Sequence, residues 1–494
     1  MIRFPFIIYV SLKHLFIYVL IKLKLSRRRP EVLLRRFFEE TGGSFIKFGQ
    51  LLALRLDILP KRYCVELLDL FDNLKPFPYH EIERVFLYEL GDKPEQIFAR
   101  FDKKPLAAAS FGQVHRARLK TGEEVVVKVL RPGVEQRVVI DFIVVDVLAF
   151  FADLFFRIDA LPWREIADEF KEWTRSELDY RTEARNMISI KENLADQVHF
   201  IVPTVYVHLT TQRILVEDFI DGISLTSVLR QIKQGTFDYE RLLSVGIDIK
   251  ITPSIIVQEM LRQFLLHNFF HADPHPGNIL LRPGNRIGLI DYGIVGRLEH
   301  IDKGYFVRYA HSTAKFEFRK ATQYFAHVAG ETMRQNILSA LPASTDPQVA
   351  DDIINMMAED FGDYAHDYVL SNVENLKEMH LDYAMIIMRL LKAARKYNVK
   401  IPSELAIFLR ALSMIGFLSK EMNFEFMLSE EIKDFFILYP EERFPLNAKQ
   451  MPQRINRELA LEKLSNWLSH LIEVDPKLYQ LVKGKLNQYT HAGI

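Results

Sequence analysis

The stretch FFHADPHPGNILLRPGNRIGLIDYGIVG, Phe269–Gly296, sets Asp273, Asn278 and Asp291 around one tight turn. Carboxylates gathered this way repel one another unless something positive lies among them. Asp273 and Asn278 are five apart, and Pro274 and Pro276 stiffen the loop between them. Ile279–Leu281 and Ile287–Ile290 read as a hairpin turned by Pro283–Gly284–Asn285, which delivers Asp291-Tyr292-Gly293 at its end. This spacing suits transfer of a phosphoryl group. One aspartate, Asp273, receives the proton of an attacking hydroxyl, while Asn278 and Asp291 hold Mg²⁺ against phosphates. The missing positive charge is then the metal. An Asp–x₄–Asn loop alone is only a polar turn; the hairpin ending in Asp-Tyr-Gly gives it weight.

Working outward, upstream partners for this chemistry are present. Lys128 ends the strand-like run EVVVK, where a lysine reaches α- and β-phosphates. Its partner should be a helical carboxylate, and SELDYRTEARN offers Glu177, Asp179 and Glu183. A phosphate-cradling loop should precede Lys128. That place is taken by PLAAASFGQV, with Leu106, Ala107, Ala108, Ala109, Ser110, Phe111, Gly112, Gln113 and Val114 as candidate nucleotide contacts. Alanines stand where glycines would let backbone amides approach closely, and their Cβ atoms crowd a ligand.

The 494 residues carry 64 basic and 64 acidic side chains, so no net charge draws the chain to nucleic acid. The single cysteine, Cys64, excludes an intrachain disulfide and reads as a small apolar side chain. Charge is uneven: the first thirty residues hold seven Lys or Arg and no acid. Lys13 and His14 interrupt the apolar run Phe4–Ile21, which argues against a clean transmembrane helix and leaves two readings, a segment lying in a membrane interface or a soluble N-terminal helix packed on its own protein. No secretory cleavage site follows it. In Val138–Phe156, Asp141, Asp146 and Asp153 argue for a buried or half-buried soluble helix.

Helical spacing runs through residues 31–75, broken at Gly42–Gly43, and the helix EIERVFLYELG closes on Gly91 as its C-cap. Strands are expected over Gln113–Leu119 and Glu124–Leu130, then near Ile201–Val207 and Arg213–Glu217. Thr252 and Pro253 are expected as N-cap and first-turn residue of the next helix. From about His300 the pattern is helical, with no run suited to spanning a bilayer.

Together these residues resemble the UbiB family of atypical kinases. The motifs are KFGQ (Lys47–Gln50), AAAS (Ala107–Ser110), VVVK ending at Lys128, ELDYRTEARN (Glu177–Asn186), HADPHPGN (His271–Asn278) and DYG (Asp291–Gly293). The resemblance implies an α+β, bilobal protein-kinase-like fold with a helical N-terminal extension and a helical C-terminal region. It divides the chain into 1–30, a basic apolar membrane-seeking segment; 31–100, the helical extension; 101–220, an N-lobe; 221–340, a C-lobe; and 341–494, a helical C-terminal region. It implies that Lys128 pairs with Glu183 and that Glu217 to Ile220, with Glu217 and Phe219 among them, form a hinge touching adenine through backbone groups. It places Lys47 and Gln50 over the nucleotide cleft near Glu177 and Asp179 in a regulatory role.

Three departures stand out: Ala272 replaces the usual arginine before Asp273, no Ala-Pro-Glu follows Gly293, and Asn268 and Tyr292 stand where Gly and Phe are commoner. The expected protein is an ATP- (or ADP-) and Mg²⁺-dependent kinase or ATPase supporting ubiquinone synthesis. It would sit on the cytoplasmic side of a bacterial inner membrane, or in the cytoplasm. Its expected partners are a membrane lipid surface, a quinone or isoprenoid-lipid precursor and quinone-biosynthesis proteins. The alternatives are a nucleotide-switched lipid-binding regulator and a small-molecule phosphotransferase.

Overall fold

Glycine decides where the second helix ends. The computed structural model describes residues 3–53, 59, 61–67, 70, 76–108, 111–155, 163–298, 302–342, 344–370, 403–446 and 456–488. Ala109, Ser110 and the Cys64 side chain lie outside the described set. Helices α1 (Arg3–Lys22), α2 (Pro30–Thr41), α3 (Ser44–Ala53) and α4 (Lys61–Leu67) open the chain. Gly42 and Gly43 separate α2 from α3 at φ of 65° and 58°, left-handed values that other residues resist. Lys13 and His14 each find a partner within the protein. Both contact Glu40 of α2, at 2.8 and 3.0 Å. By length and composition α1 could cross a membrane, yet Ile7, Val10 and His14 are buried within the protein.

Helices α5 (Tyr79–Leu90), closed by left-handed Gly91, and α6 (Pro94–Ile97) lead into an antiparallel sheet. Strands β1 (Arg100–Phe101) and β2 (Ala107–Ala108) both pair with β3 (Gly112–Arg118), which pairs with β4 (Glu124–Leu130). Val125, Val127 and Val129 go to one face and pack with Phe86 and Phe98; alternation sends Lys128 to the other.

Next come α7 (Val134–Phe155), α8 (Trp163–Glu177) and α9 (Tyr180–Asn193). The three aspartates of α7 are all engaged. Asp141 is gripped by Arg3 at 2.9 and 3.0 Å, Asp146 by Lys171 at 2.6 Å, and Asp153 accepts the Trp163 amide at 2.6 Å.

The strand expected near Ile201–Val207 does not form as one piece. β5 covers only Phe200–Ile201, Val205 makes a single bridge to Glu217, and Val207–Leu209 coil into a 3₁₀ turn. Pro203 has no N–H for a ladder, and the Asp218 carboxylate takes the Thr204 amide at 2.9 Å. β6 (Ile214–Asp218) pairs with β4, setting Lys128 opposite Leu215. Then follow β7 (Ile223–Ser224), α10 (Leu225–Gln234) and α11 (Tyr239–Ser244).

The chain divides into two compact units, Met1–Ile247 with Asp273–Val295, and Asp248–Ala272 with Gly296–Ile494. The second unit takes α12 (Thr252–Arg262) and β8 (Phe269–His271). Thr252 is not the N-cap of α12: Ile251 holds that position, and the Thr252 hydroxyl donates back to the Asp248 carbonyl at 3.1 Å. Asn268 has φ of 58°, which explains why glycine suits that site and why asparagine is tolerated there. The chain returns to the first unit as the expected hairpin, β9 (Ile279–Arg282) and β10 (Arg286–Leu289), with Gly284 and Asn285 both left-handed.

Strand β11 (Val295–Arg297) leads into the rest of the second unit. Its described part is helical: α13 (Lys303–Ala314), α14 (Phe318–Ala329), α15 (Glu331–Ala340), α16 (Gln348–Leu370), α17 (Ser403–Met422), α18 (Leu428–Leu438), α19 (Arg457–Val474) and α20 (Pro476–Asn487). Phe264 stacks on Phe408 at 3.5 Å in its core. The stretch 371–402 is outside the described residues.

Candidate active site

Lys128 reaches across the first unit to groups far away in sequence. Its Nζ donates to Glu183 Oε1 at 2.7 Å and to the Ile290 carbonyl at 2.7 Å, and lies 3.4 Å from Glu217 Oε1. Burial alone would lower this ammonium's pKa, but the charges of Glu183, Glu217 and Asp291 outweigh it and hold it well above the ordinary lysine value. Glu183 sits in the first turn of α9, which Asp179 caps by accepting the Arg181 amide at 3.0 Å. Burial raises the Glu183 carboxyl, with Lys128 opposing.

Helix α9 also holds the Asp-Tyr-Gly segment. The Tyr292 amide donates to Glu183 Oε1 at 3.3 Å, and Asn186 Nδ2 donates to the Tyr292 carbonyl at 2.9 Å. Tyr292 is fully buried. Asp291 Oδ1 accepts the Gly293 amide at 2.9 Å, a bond that fixes the carboxylate within its own turn. Asn278 Nδ2 donates to Asp273 at 3.1 Å (Oδ2) and 3.3 Å (carbonyl), which leaves its amide oxygen as the atom to offer a cation. Asp273 Oδ1 is buried without a hydrogen-bond partner.

A pocket lies over Asp273, walled by Lys47 and Gln50 of α3 and by Phe170, Trp173 and Glu177 of α8. Lys47 Nζ meets Glu177 Oε1 at 2.8 Å. Burial pulls Lys47 down, but Glu177, Asp291 and Asp273 together raise it, so this ammonium feels all three acids. Burial raises Glu177, and Lys47 counters it. Gln50 Nε2 donates to the Leu70 carbonyl at 3.1 Å. Asp179 does not line this pocket; its carboxylate is committed to Arg181 at 2.8 Å.

The alanine-rich loop begins as β2, with Ala107 opposite Val114 and Ala108 opposite Gln113. Gly112 is glycine for space: a Cβ there would sit 2.6 Å from the Val129 carbonyl and 2.8 Å from the Tyr180 hydroxyl. Gln113 turns inward and donates to the Phe77 carbonyl at 2.8 Å. In the segment expected as the hinge, the Phe219 amide donates to the Glu124 carbonyl at 3.0 Å, and the Arg116 guanidinium lies 4.3 Å from its ring.

Sequence reasoning gave Glu217 a backbone role and missed its side chain. It is 2% exposed, on the same face of the sheet as Lys128, and its Oε2 has no partner. Burial, opposed by Lys128, pushes its carboxyl up to about 8. The signal was an acid inside the apolar strand ILVED. Phe170, Trp173 and Thr174 were also missed; they follow from the amphipathic spacing of α8.

Among the described residues no three His, Cys, Asp or Glu are grouped to hold a metal by themselves. Asn278 and Asp291 are two oxygen donors, a set that fits Mg²⁺ completing its shell with phosphate and water.

The family profile described as the ABC1 atypical kinase-like domain matches residues 69–325. A relative named probable protein kinase UbiB, from Pseudomonas paraeruginosa, is 30% identical over 88% of this chain and 77% of its own length. The protein of the same name from Azotobacter vinelandii is 31% identical over 94% of this chain and 80% of its own. Among solved structures, Rv3197 from Mycobacterium tuberculosis, solved with erythromycin, is 20% identical with a TM-score of 0.49, covering 83% of this chain and 94% of that one.

Proposed function

The chain belongs to the UbiB family of ABC1 atypical kinase-like proteins, and from that premise we propose a phosphotransferase or ATPase that uses Mg²⁺ and ATP. The carrying observation is the orphaned Asp273 Oδ1, buried in the pocket beside Asn278 and close enough to Lys47 for their charges to act on one another. A buried carboxylate oxygen without a partner is costly unless a ligand supplies a donor. A hydroxyl or water would supply it, and Asp273 would take its proton. Asn278, through its amide oxygen, and Asp291 would hold Mg²⁺, whose charge offsets that of the phosphates when bound. Lys128, fixed by Glu183, would bind α- and β-phosphate oxygens in exchange for one of its present acceptors. Lys47 supplies positive charge among Glu177, Asp273 and Asp291 and would act as a regulatory group, giving way as the cation binds.

The family's association with ubiquinone synthesis supports the cellular part of this reading. The site would serve quinone or isoprenoid-lipid production, with the chain peripheral on the cytoplasmic face of a bacterial inner membrane. The bare apolar side of α1 and the basic residues after it support the membrane as a partner. The test is nucleotide hydrolysis by purified protein, with and without Mg²⁺ and lipid. Asp273→Asn is expected to lower turnover by about 10²–10⁴-fold while nucleotide binding persists. Equal turnover in the variant would leave a nucleotide-binding regulator as the reading.

A further inference from the structure

Helix α7 buries one face and leaves an apolar one bare. Val138, Phe142, Val145 and Ala149 pack into the core beneath it. On its other side Val139, Ile143, Val147, Phe150 and Phe151 recur at helical spacing and are 58%, 54%, 42%, 48% and 48% exposed. On a helix that merely covers a soluble protein, these positions carry polar residues. A continuous apolar stripe marks a surface that meets something apolar.

Helix α1 repeats the pattern. Phe4, Ile8, Leu12, Leu15, Phe16 and Val19 are all exposed. The two helices are neighbours: Arg3 of α1 holds Asp141 of α7 with two bonds, and Ile7 shares a core with Val138 and Phe142.

We propose that the bare stripe of α7 is part of a bilayer-docking face shared with α1, seated in the interface of an anionic membrane. The proposal rests on the membrane part of the function proposed above, and carries it from residues 1–30 to a helix that begins at Val134.

Charge selects the occupant. Exposed Lys22 ends α1 and exposed Lys24, Arg27, Arg28 and Arg29 follow it, interleaved with exposed Leu23 and Leu25, and no acid occurs in that segment. The acids of α7 are neutralised in place: Asp141 is buried under Arg3, Glu135 pairs with Arg213, Asp153 accepts the Trp163 amide, and Asp146, 54% exposed at the edge of the stripe, is held by Lys171. Apolar rows beside a cationic segment match acyl chains under anionic headgroups.

Flotation with phosphatidylcholine vesicles, with and without about one third phosphatidylglycerol, tests this. The full chain is expected to float with the anionic vesicles. The triple change Ile143→Gln, Val147→Gln and Phe150→Gln should lower partitioning at least about tenfold with α1 intact, and Ile8→Gln, Leu12→Gln and Phe16→Gln should do the same with α7 intact. Unchanged nucleotide hydrolysis in solution and unchanged thermal melting certify that both variants fold. A second reading places an environment-sensitive dye on Ile143→Cys in a Cys64→Ser background. Its emission should shift blue on adding anionic vesicles.

If the α7 variant floats like the parent while the α1 variant does not, the α7 proposal falls and the membrane reading stands. If the parent is a dimer that the α7 change splits, with vesicle binding intact, the stripe is a self-association face and the proposal falls. If the parent floats with neither vesicle, the proposal and the membrane reading fall together, and hydrolysis in solution still decides the catalytic reading.

Discussion

Two lysine–glutamate pairs of nearly equal length differ in what surrounds them. Lys128–Glu183 closes at 2.7 Å with side chains 11% and 9% exposed; Lys47–Glu177 closes at 2.8 Å with 28% and 17%. The first lysine has two further acceptors, Glu217 and the Ile290 carbonyl, and is built into the sheet. The second lies in a pocket wall and draws on Asp273 and Asp291 from outside its own pair. A contact length therefore does not reveal a pair's role. Its partners and its access to water do.

That contrast is open to attack. The largest effect should come from Lys128→Met, which strands Glu183 and Glu217 as buried acids. A loss of roughly 3–5 kcal/mol is expected in denaturant unfolding, shrinking at acid pH as both acids take protons. A small loss at neutral pH would mean that water enters this site freely.

Glu217→Gln should act less, and with a defined pH dependence. The folded carboxyl, pushed up to about 8, binds protons more tightly than the unfolded one. Stability from this group is therefore highest below the unfolded value near 4.5, declines as pH climbs toward 8, and levels beyond. The variant should lack that decline, so its melting temperature relative to the parent should be higher at pH 8.5 than at pH 5.5. A constant difference across this range would refute a raised Glu217.

The smallest effect on stability belongs to Lys47→Gln, about 1 kcal/mol after allowing for its exposure. Its signature should be in cation binding. With one ammonium removed from beside Asp273 and Asp291, half-saturation by Mg²⁺ should fall by roughly threefold or more. If Lys47 proves as costly to remove as Lys128, exposure is not what separates the two pairs.

Much of this was legible beforehand. Strand propensity, strongest in Val125–Val127, gave β3 and β4, and the Pro-Gly-Asn turn gave the β9–β10 hairpin. The Lys128–Glu183 and Lys47–Glu177 contacts were anticipated only through family resemblance, because each joins elements whose approach no local pattern encodes. Local chemistry misled where it had competitors. The Val205 region favours a strand by composition, but Pro203 has no N–H to give a ladder and the Asp218 carboxylate takes the Thr204 amide. Thr252 looks like a cap, yet its hydroxyl found the Asp248 carbonyl. The inward turn of Glu217 was hidden because an acid facing a core is rare without a long-range cation, here supplied from another strand.

Helix α9 grips Tyr292 at two points, the amide through Glu183 and the carbonyl through Asn186. Because Glu183 also anchors Lys128, one rigid rod connects the lysine that would face phosphates to the turn that presents Asp291. Neither end can be retuned alone: tilting the rod enough to free the lysine would drag the aspartate with it, so the two should switch as a single mechanical part.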